Sequence, residues 1–204
     1  MISHQFIKRL ARVALLRISS NRYRVNTRRL TLFFLFLVIY LLNLRVKTII
    51  VDYMMRNLEI SYEHYEDTGN MNVVDQVLIS EAQAATEKAN APYSNFRVGA
   101  AVRLRSGCTF HAANFESEVF PAGLCAERSL LFFIESNYAD DPIESLAIAS
   151  VPSERECYPC GQCRQVIVDV ERRQKSPIRV IMSGAGSATV VDSAEKLLPF
   201  TFKL

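Results

Sequence analysis

Two short runs set the terms for this chain: Cys125-Ala126-Glu127 and, 35 residues after the first cysteine, Pro159-Cys160-Gly161-Gln162-Cys163. The three cysteines supply three thiolates, the usual number of protein ligands for a zinc ion that keeps one position open. Cys160 and Cys163 are three apart and share a face of a first helical turn. Cys125 and Glu127 are two apart, a spacing that does not share a face within a regular helix. That pair belongs at a helix mouth, with a metal beyond the end of the axis. The fold must therefore bring two helix N-termini to one point. The helix dipole and free N–H groups found there stabilise thiolates and lower their pKa.

Three thiolates on Zn²⁺ leave a formal charge of −1, so the protein must return positive potential. Two helix N-termini do part of this, and Arg128, directly after Glu127, is placed to do more. Zinc lowers the pKa of bound water from about 15.7 to about 7. Glu127 is the carboxylate placed to take that proton, a transfer worth roughly 10²–10⁴ in rate. A structural site is the plainer alternative. Such sites usually have four protein ligands, and Cys157, in the spacing Cys157-x-x-Cys160, is the candidate fourth, although that leaves Glu127 without a reason. Otherwise Cys157 reads as a loop thiol and Cys108 as a small core residue.

With 204 residues, half of them hydrophobic, the chain has material for one domain with an appendage. Its net charge of +3 conceals an asymmetry: residues 1–50 hold ten Lys/Arg and no acid, which leaves 14 basic and 21 acidic side chains beyond, a net of −7. An acidic body argues against a general phosphate-binding surface and against long nucleic acid as partner. Three of five cysteines fall within seven residues, which is metal spacing more than disulfide spacing. Thiolate ligands must stay reduced, so the expected compartment is the cytoplasm.

Residues 32–42 are an unbroken apolar run, too short for a span of about 20 residues. A signal anchor, the membrane alternative, would put the zinc body outside, where thiolates oxidise more easily. The plainer expectation is that residues 1–53 are a basic and apolar extension, an over-extended start, and that residues 54–204 form the catalytic domain.

Within that body, Val73 to Asn90 has helical periodicity and ends before Pro92. Strands are expected at Val98–Leu104 and Thr109–Ala113, around the turn Arg105-Ser106-Gly107, and at Leu146–Val151. Two more are expected at Ile178–Met182 and Thr189–Val191, around Gly184-Ala185-Gly186. Helices are expected from Cys125 to about Asn137, from Cys160 to Arg172 behind Pro159, and at Ser193–Leu198. Alternating helices and strands predict a layered α/β domain.

Beyond the zinc runs, the segment Ala91-Pro-Tyr-Ser-Asn-Phe-Arg-Val-Gly-Ala100, the element Asn114-Phe-Glu116, the runs Phe120-Pro-Ala-Gly-Leu-Cys-Ala-Glu-Arg128 and Pro159-Cys-Gly-Gln-Cys-Arg-Gln165, and Leu197-Leu-Pro-Phe-Thr-Phe202 together resemble the cytidine deaminase family. The resemblance implies an α/β/α fold of three layers with a central mixed sheet. For three-Cys members it implies a homotetramer with active sites at subunit contacts. It assigns Cys125, Cys160 and Cys163 to Zn²⁺ and Glu127 to proton transfer. It places Phe96 on the pyrimidine, Asn114 and Glu116 on the ribose hydroxyls, and the Ala126 backbone on the base, with Phe120 and Phe202 coming from neighbouring subunits. The implied reaction is hydrolytic deamination of cytidine and deoxycytidine to uridine and deoxyuridine in pyrimidine salvage. A deaminase of a modified cytosine nucleoside of the blasticidin S kind and a zinc-stabilised binding protein without turnover are the alternatives. Ser117, Glu118 and Phe120 depart from the family's usual Asn, small residue and Tyr.

Overall fold

The computed structural model describes residues 56–203, together with Phe34, Leu35, Leu37 and Val38, which are helical. The chain divides into compact units Met1–Asn57 and Leu58–Leu204. The expectations for residues 1–53, including the apolar run at 32–42, lie outside the described residues apart from those four. Among the described residues no helix is long and apolar enough to cross a membrane.

The second unit is organised by side-chain alternation along its strands. The strands are β1 (Glu63–Tyr65), β2 (Arg97–Leu104), β3 (Thr109–Ala113), β4 (Ile143–Val151), β5 (Arg179–Gly184) and β6 (Ser187–Val191). They form one sheet in the order β1-β6-β5-β4-β2-β3, in which β4 and β5 run parallel and the other neighbours antiparallel. One face presents Ala101, Ala147, Ala149, Ile181, Ala188 and Val190, and carries α1 (Val73–Ala85) through Leu78 and Ala82. The opposite face presents Val102, Leu104, Leu146, Ile148, Val180 and Met182. It carries α2 (Ala126–Asn137) and α3 (Gly161–Gln174) through Leu130, Leu131, Ile134, Ile167 and Val168. The result is the expected three-layer α/β/α domain with a central mixed sheet.

The face against α1 is built from small residues because that helix lies close. A Cβ added at Gly99 would sit 2.0 Å from the Ala82 carbonyl oxygen. The α-helix stops at Ala85 and tightens into a 3₁₀ turn over Thr86–Lys88, so the helix expected to Asn90 is shorter as α-helix. Two other expectations are corrected. Cys108 is exposed, not core, because it lies in the β2–β3 turn, where its carbonyl accepts the Leu104 N–H at 2.9 Å. The terminal Ser193–Leu198 helix is a 3₁₀ turn over Ala194–Leu197. A strand not foreseen, β1, pairs with β6 through Glu63–Tyr65.

Topology brings the functional runs together. Because β2 is antiparallel to both β3 and β4, those two strands point the same way. The helix that follows each of them, α2 after β3 and α3 after β4, therefore starts at one end of the sheet. The beginning of β2, with Phe96 just before it, lies at that end too. Ligands of α/β sheets bind at such carboxyl ends, where helix N-termini open.

Candidate active site

Cys125 and Cys160 occupy the N-cap positions of α2 and α3, both in extended conformation, and neither side chain caps its own helix. The two thiols face each other instead, with Sγ atoms 3.8 Å apart, and Cys163 Sγ lies 3.5 Å from Cys160 Sγ. All three sulfurs fall within 4.8 Å of one another. A tetrahedral zinc with bonds of about 2.3 Å has sulfur–sulfur edges of about 3.8 Å, so the donor set fits this metal. Cys157 does not belong to the cluster. It is buried in the loop before α3, where burial first and the Glu127 charge next push its thiol up to about 11.

Hydrogen bonding from Cys163, opposed by burial and aided by Arg128, pulls the Cys125 thiol down; the same bond and burial hold Cys163 up. Arg128 places Nη2 3.9 Å from Cys125 Sγ, and its Nε is buried without a partner among the described residues. The guanidinium stands where the charge arithmetic on three sulfurs calls for positive potential.

Glu127 sits in the first turn of α2 at 3 % exposure, with Oε2 buried and free of any hydrogen bond among the described residues. Burial pushes its carboxyl from 4.5 up to about 7. A group poised there both accepts and returns a proton near neutral pH. It faces a cavity of ≈ 580 Å³ that is also lined by Cys125, Cys160, Arg128, Phe96, Asn114, Glu116 and Phe120.

The opposite wall is braced by its own hydrogen bonds. Asn114 Oδ1 accepts the Val98 N–H at 2.8 Å, and its Nδ2 donates to the Phe96 carbonyl at 3.0 Å. Glu116 Oε2 accepts the Tyr93 N–H at 2.8 Å and the Ser94 N–H at 3.2 Å, and Oε1 accepts the Ser94 hydroxyl. That hydroxyl, then the Tyr93 amide, hold the Glu116 carboxyl below its ordinary value. Each of the two side chains keeps acceptor capacity, and Asn114 keeps one N–H, for a further partner.

Backbone bridges join the walls. Asn90 N–H donates to the Asn114 carbonyl and Glu116 N–H to the Asn90 carbonyl, while Phe115 and Leu124 exchange N–H···O bonds of 2.9 and 3.0 Å. The second exchange delivers Cys125 beside the Glu116 segment. The loop before α3 is seated equally closely: a Cβ on Gly184 would lie 2.0 Å from the Arg155 carbonyl oxygen, and Cys157 N–H donates to the Ser183 carbonyl.

Phe96 and Phe120 line the cavity of their own chain, and Phe120 makes an edge contact with Tyr93 at 5.8 Å between ring centroids. Phe202 lies outside the cavity lining and is exposed, its carbonyl 3.4 Å from Gln165 Nε2. Ala126 is fully buried as the first residue of α2. Sequence reasoning gave no role to Asn90, Tyr93, Ser94, Phe115, Leu124 or Tyr158, which bridge or line the site. Tyr93 and Ser94 lay inside the motif segment from Ala91. Asn90 and Leu124 act through backbone atoms, which side-chain patterns do not reveal.

Fold and thiol cluster together fit the class of α/β/α zinc hydrolases. The chain belongs to the family described as the cytidine and deoxycytidylate deaminase zinc-binding region, whose model matches residues 72–176. It is 41% identical over 96 residues to the cytidine deaminase of Halalkalibacterium halodurans, covering 47% of this chain and 70% of that one. It is 35% identical over 127 residues to that of Sporosarcina psychrophila, covering 61% and 88%. The structure is similar to crystalline cytidine deaminase from Burkholderia pseudomallei, with a TM-score of 0.56 and 37% identity over 65% of this chain and all of that one. The enzyme from Mycobacterium tuberculosis gives a TM-score of 0.53 at 27% identity, over 65% of this chain and all of that one.

Proposed function

We propose that the protein catalyses hydrolytic deamination of cytidine and deoxycytidine to uridine and deoxyuridine, in pyrimidine salvage. The observation that carries this reading is the buried Glu127 carboxylate, with Oε2 unpartnered among the described residues, beside three thiols that fit zinc. Cys125, Cys160 and Cys163 would hold the zinc, which would supply a Lewis acid able to make water nucleophilic near neutral pH. As a water oxygen bonds to the amino-bearing carbon, Glu127 would take one of its protons to the adjacent ring nitrogen; it would then move the second, from the new hydroxyl, to the amino group, so that the C–N bond breaks and ammonia leaves. Its raised pKa suits both directions of transfer. Arg128 and the two helix N-termini steady the thiolates.

Phe96, exposed into the cavity, offers its ring to the pyrimidine, and the Ala126 backbone at the start of α2 reads the base. Asn114 and Glu116 use their remaining hydrogen-bonding capacity on the sugar hydroxyls. Phe120 and Phe202, both largely exposed, pack against neighbouring copies in a homotetramer with shared active sites. The working domain lies within residues 54–204, since every site residue falls in the compact unit Leu58–Leu204. The need for reduced thiols supports a cytoplasmic setting.

The test follows loss of cytosine absorbance with zinc-loaded protein and cytidine. Turnover by the parent and a fall of about 10²–10⁴ or more in Glu127→Gln are expected. No turnover of cytidine or deoxycytidine by the parent would sink the reading. Equal turnover by the variant would remove Glu127 from its role.

A further inference from the structure

One hydroxyl joins the two substrate-facing groups of the braced wall. Ser94 Oγ donates to Glu116 Oε1 and accepts the Phe96 N–H at 3.0 Å. It sits in a turn closed by the Asn95 N–H on the Ala91 carbonyl at 3.0 Å, with Asn95 at φ 57. Asparagine tolerates that left-handed conformation better than most residues. The two backbone N–H groups of Tyr93 and Ser94 converge on Oε2 of Glu116 and leave Oε1 to the hydroxyl. A carboxylate held at one oxygen still turns about its terminal bond; held at both, it does not.

We propose that Ser94 is a positioning residue for the sugar end of the site, fixing the Glu116 carboxylate in rotation and tying it to the backbone of Phe96. The proposal rests on the reading that Glu116 binds sugar hydroxyls. A single oxygen then bridges the group that receives the sugar and the backbone of the ring that receives the base. The downward shift of Glu116, caused first by Ser94, agrees with a strong bond to the ionised form. Ser94 is itself exposed, so its replacement creates no core cavity.

The experiment compares inhibition by uridine with inhibition by dideoxyuridine, which lacks both secondary sugar hydroxyls, in the zinc-loaded full chain. In Ser94→Ala the inhibition constant of uridine is expected to rise about tenfold, the effect of one charge-assisted hydrogen bond. That of dideoxyuridine should rise less than about threefold. KM for cytidine should rise with little change in kcat. Ser94→Thr, which keeps the hydroxyl, should restore uridine inhibition. Equal rises for both inhibitors, or none for uridine, overturn the proposal. Glu116→Gln is measured alongside. If it too weakens both inhibitors equally, the sugar-binding reading of Glu116 falls and takes the proposal with it. If Glu116→Gln is selective and Ser94→Ala is not, the Ser94 proposal falls alone.

Discussion

Glu127 and Glu116 lie on opposite walls of one cavity and have opposite hydrogen-bond states. Glu127 is buried, and one of its oxygens has no partner. Glu116 is far more open to solvent, yet it accepts from two amides and a hydroxyl. Burial ordinarily goes with hydrogen bonding, because an unpaired buried polar group costs about 1–3 kcal/mol. The metal wall reverses this, as Arg128 Nε also shows. That wall is stabilised by packing and leaves its polar atoms for chemistry. The other wall is a loop with little core beneath it, and its shape depends on its own polar side chains. On the proposed reading, charge development is served by unsatisfied groups and recognition by satisfied ones.

The comparison breaks first at the metal. Cys163→Ser removes a buried donor from the cluster, so zinc should be lost on dialysis and turnover with it, while far-UV circular dichroism of the sheet is retained. Zinc retained at the parent's level would mean that the three sulfurs do not act as one site.

The next largest effect is in metal-free protein. The Glu127 carboxyl is raised from 4.5 to about 7, so the folded chain holds this proton more tightly than the unfolded one. The stability it contributes is fully present below pH 4.5 and is lost as pH rises through about 7. The swing is on the order of 3 kcal/mol. Glu127→Gln abolishes this component, so its urea midpoint relative to the parent should be higher at pH 8 than at pH 4.5. A difference independent of pH would show that the carboxyl is not held in an apolar setting.

The smallest effect sharpens the recognition wall. Asn114→Asp keeps an acceptor for the Val98 N–H but loses the donor to the Phe96 carbonyl. A loss of about 1–2 kcal/mol in urea unfolding is expected, with KM raised more than kcat is lowered. If kcat falls and KM holds, the clamp belongs with the chemistry and the division between walls is wrong.

The two walls were also unequally legible. The metal wall could be read from spacing alone. A pair two apart cannot share a helix face, and Cys125 does stand at a helix mouth with Glu127 just inside. The three layers followed from alternating periodicities. The clamp was hidden because the partners of Asn114 and Glu116, the Ser94 hydroxyl apart, are main-chain atoms of residues 93–98, which no side-chain pattern announces. β1 escaped because three residues with one half-buried side chain carry no period. Cys108 was misread because residue type was allowed to outweigh its place beside a turn glycine with φ 90.

The approach of Cys125 to Cys160 has a consequence for the chain as a polymer. Two sulfurs 35 residues apart in sequence come within 3.8 Å, and one ion holding both turns the segment between them into a closed ring. By the loop-entropy relation used for disulfides, a ring of this size restricts the unfolded chain by about 4 kcal/mol. An ion held there to activate water would thus also be a reversible cross-link around α2 and β4. Chelation should silence the enzyme and lengthen its unfolded chain in one act.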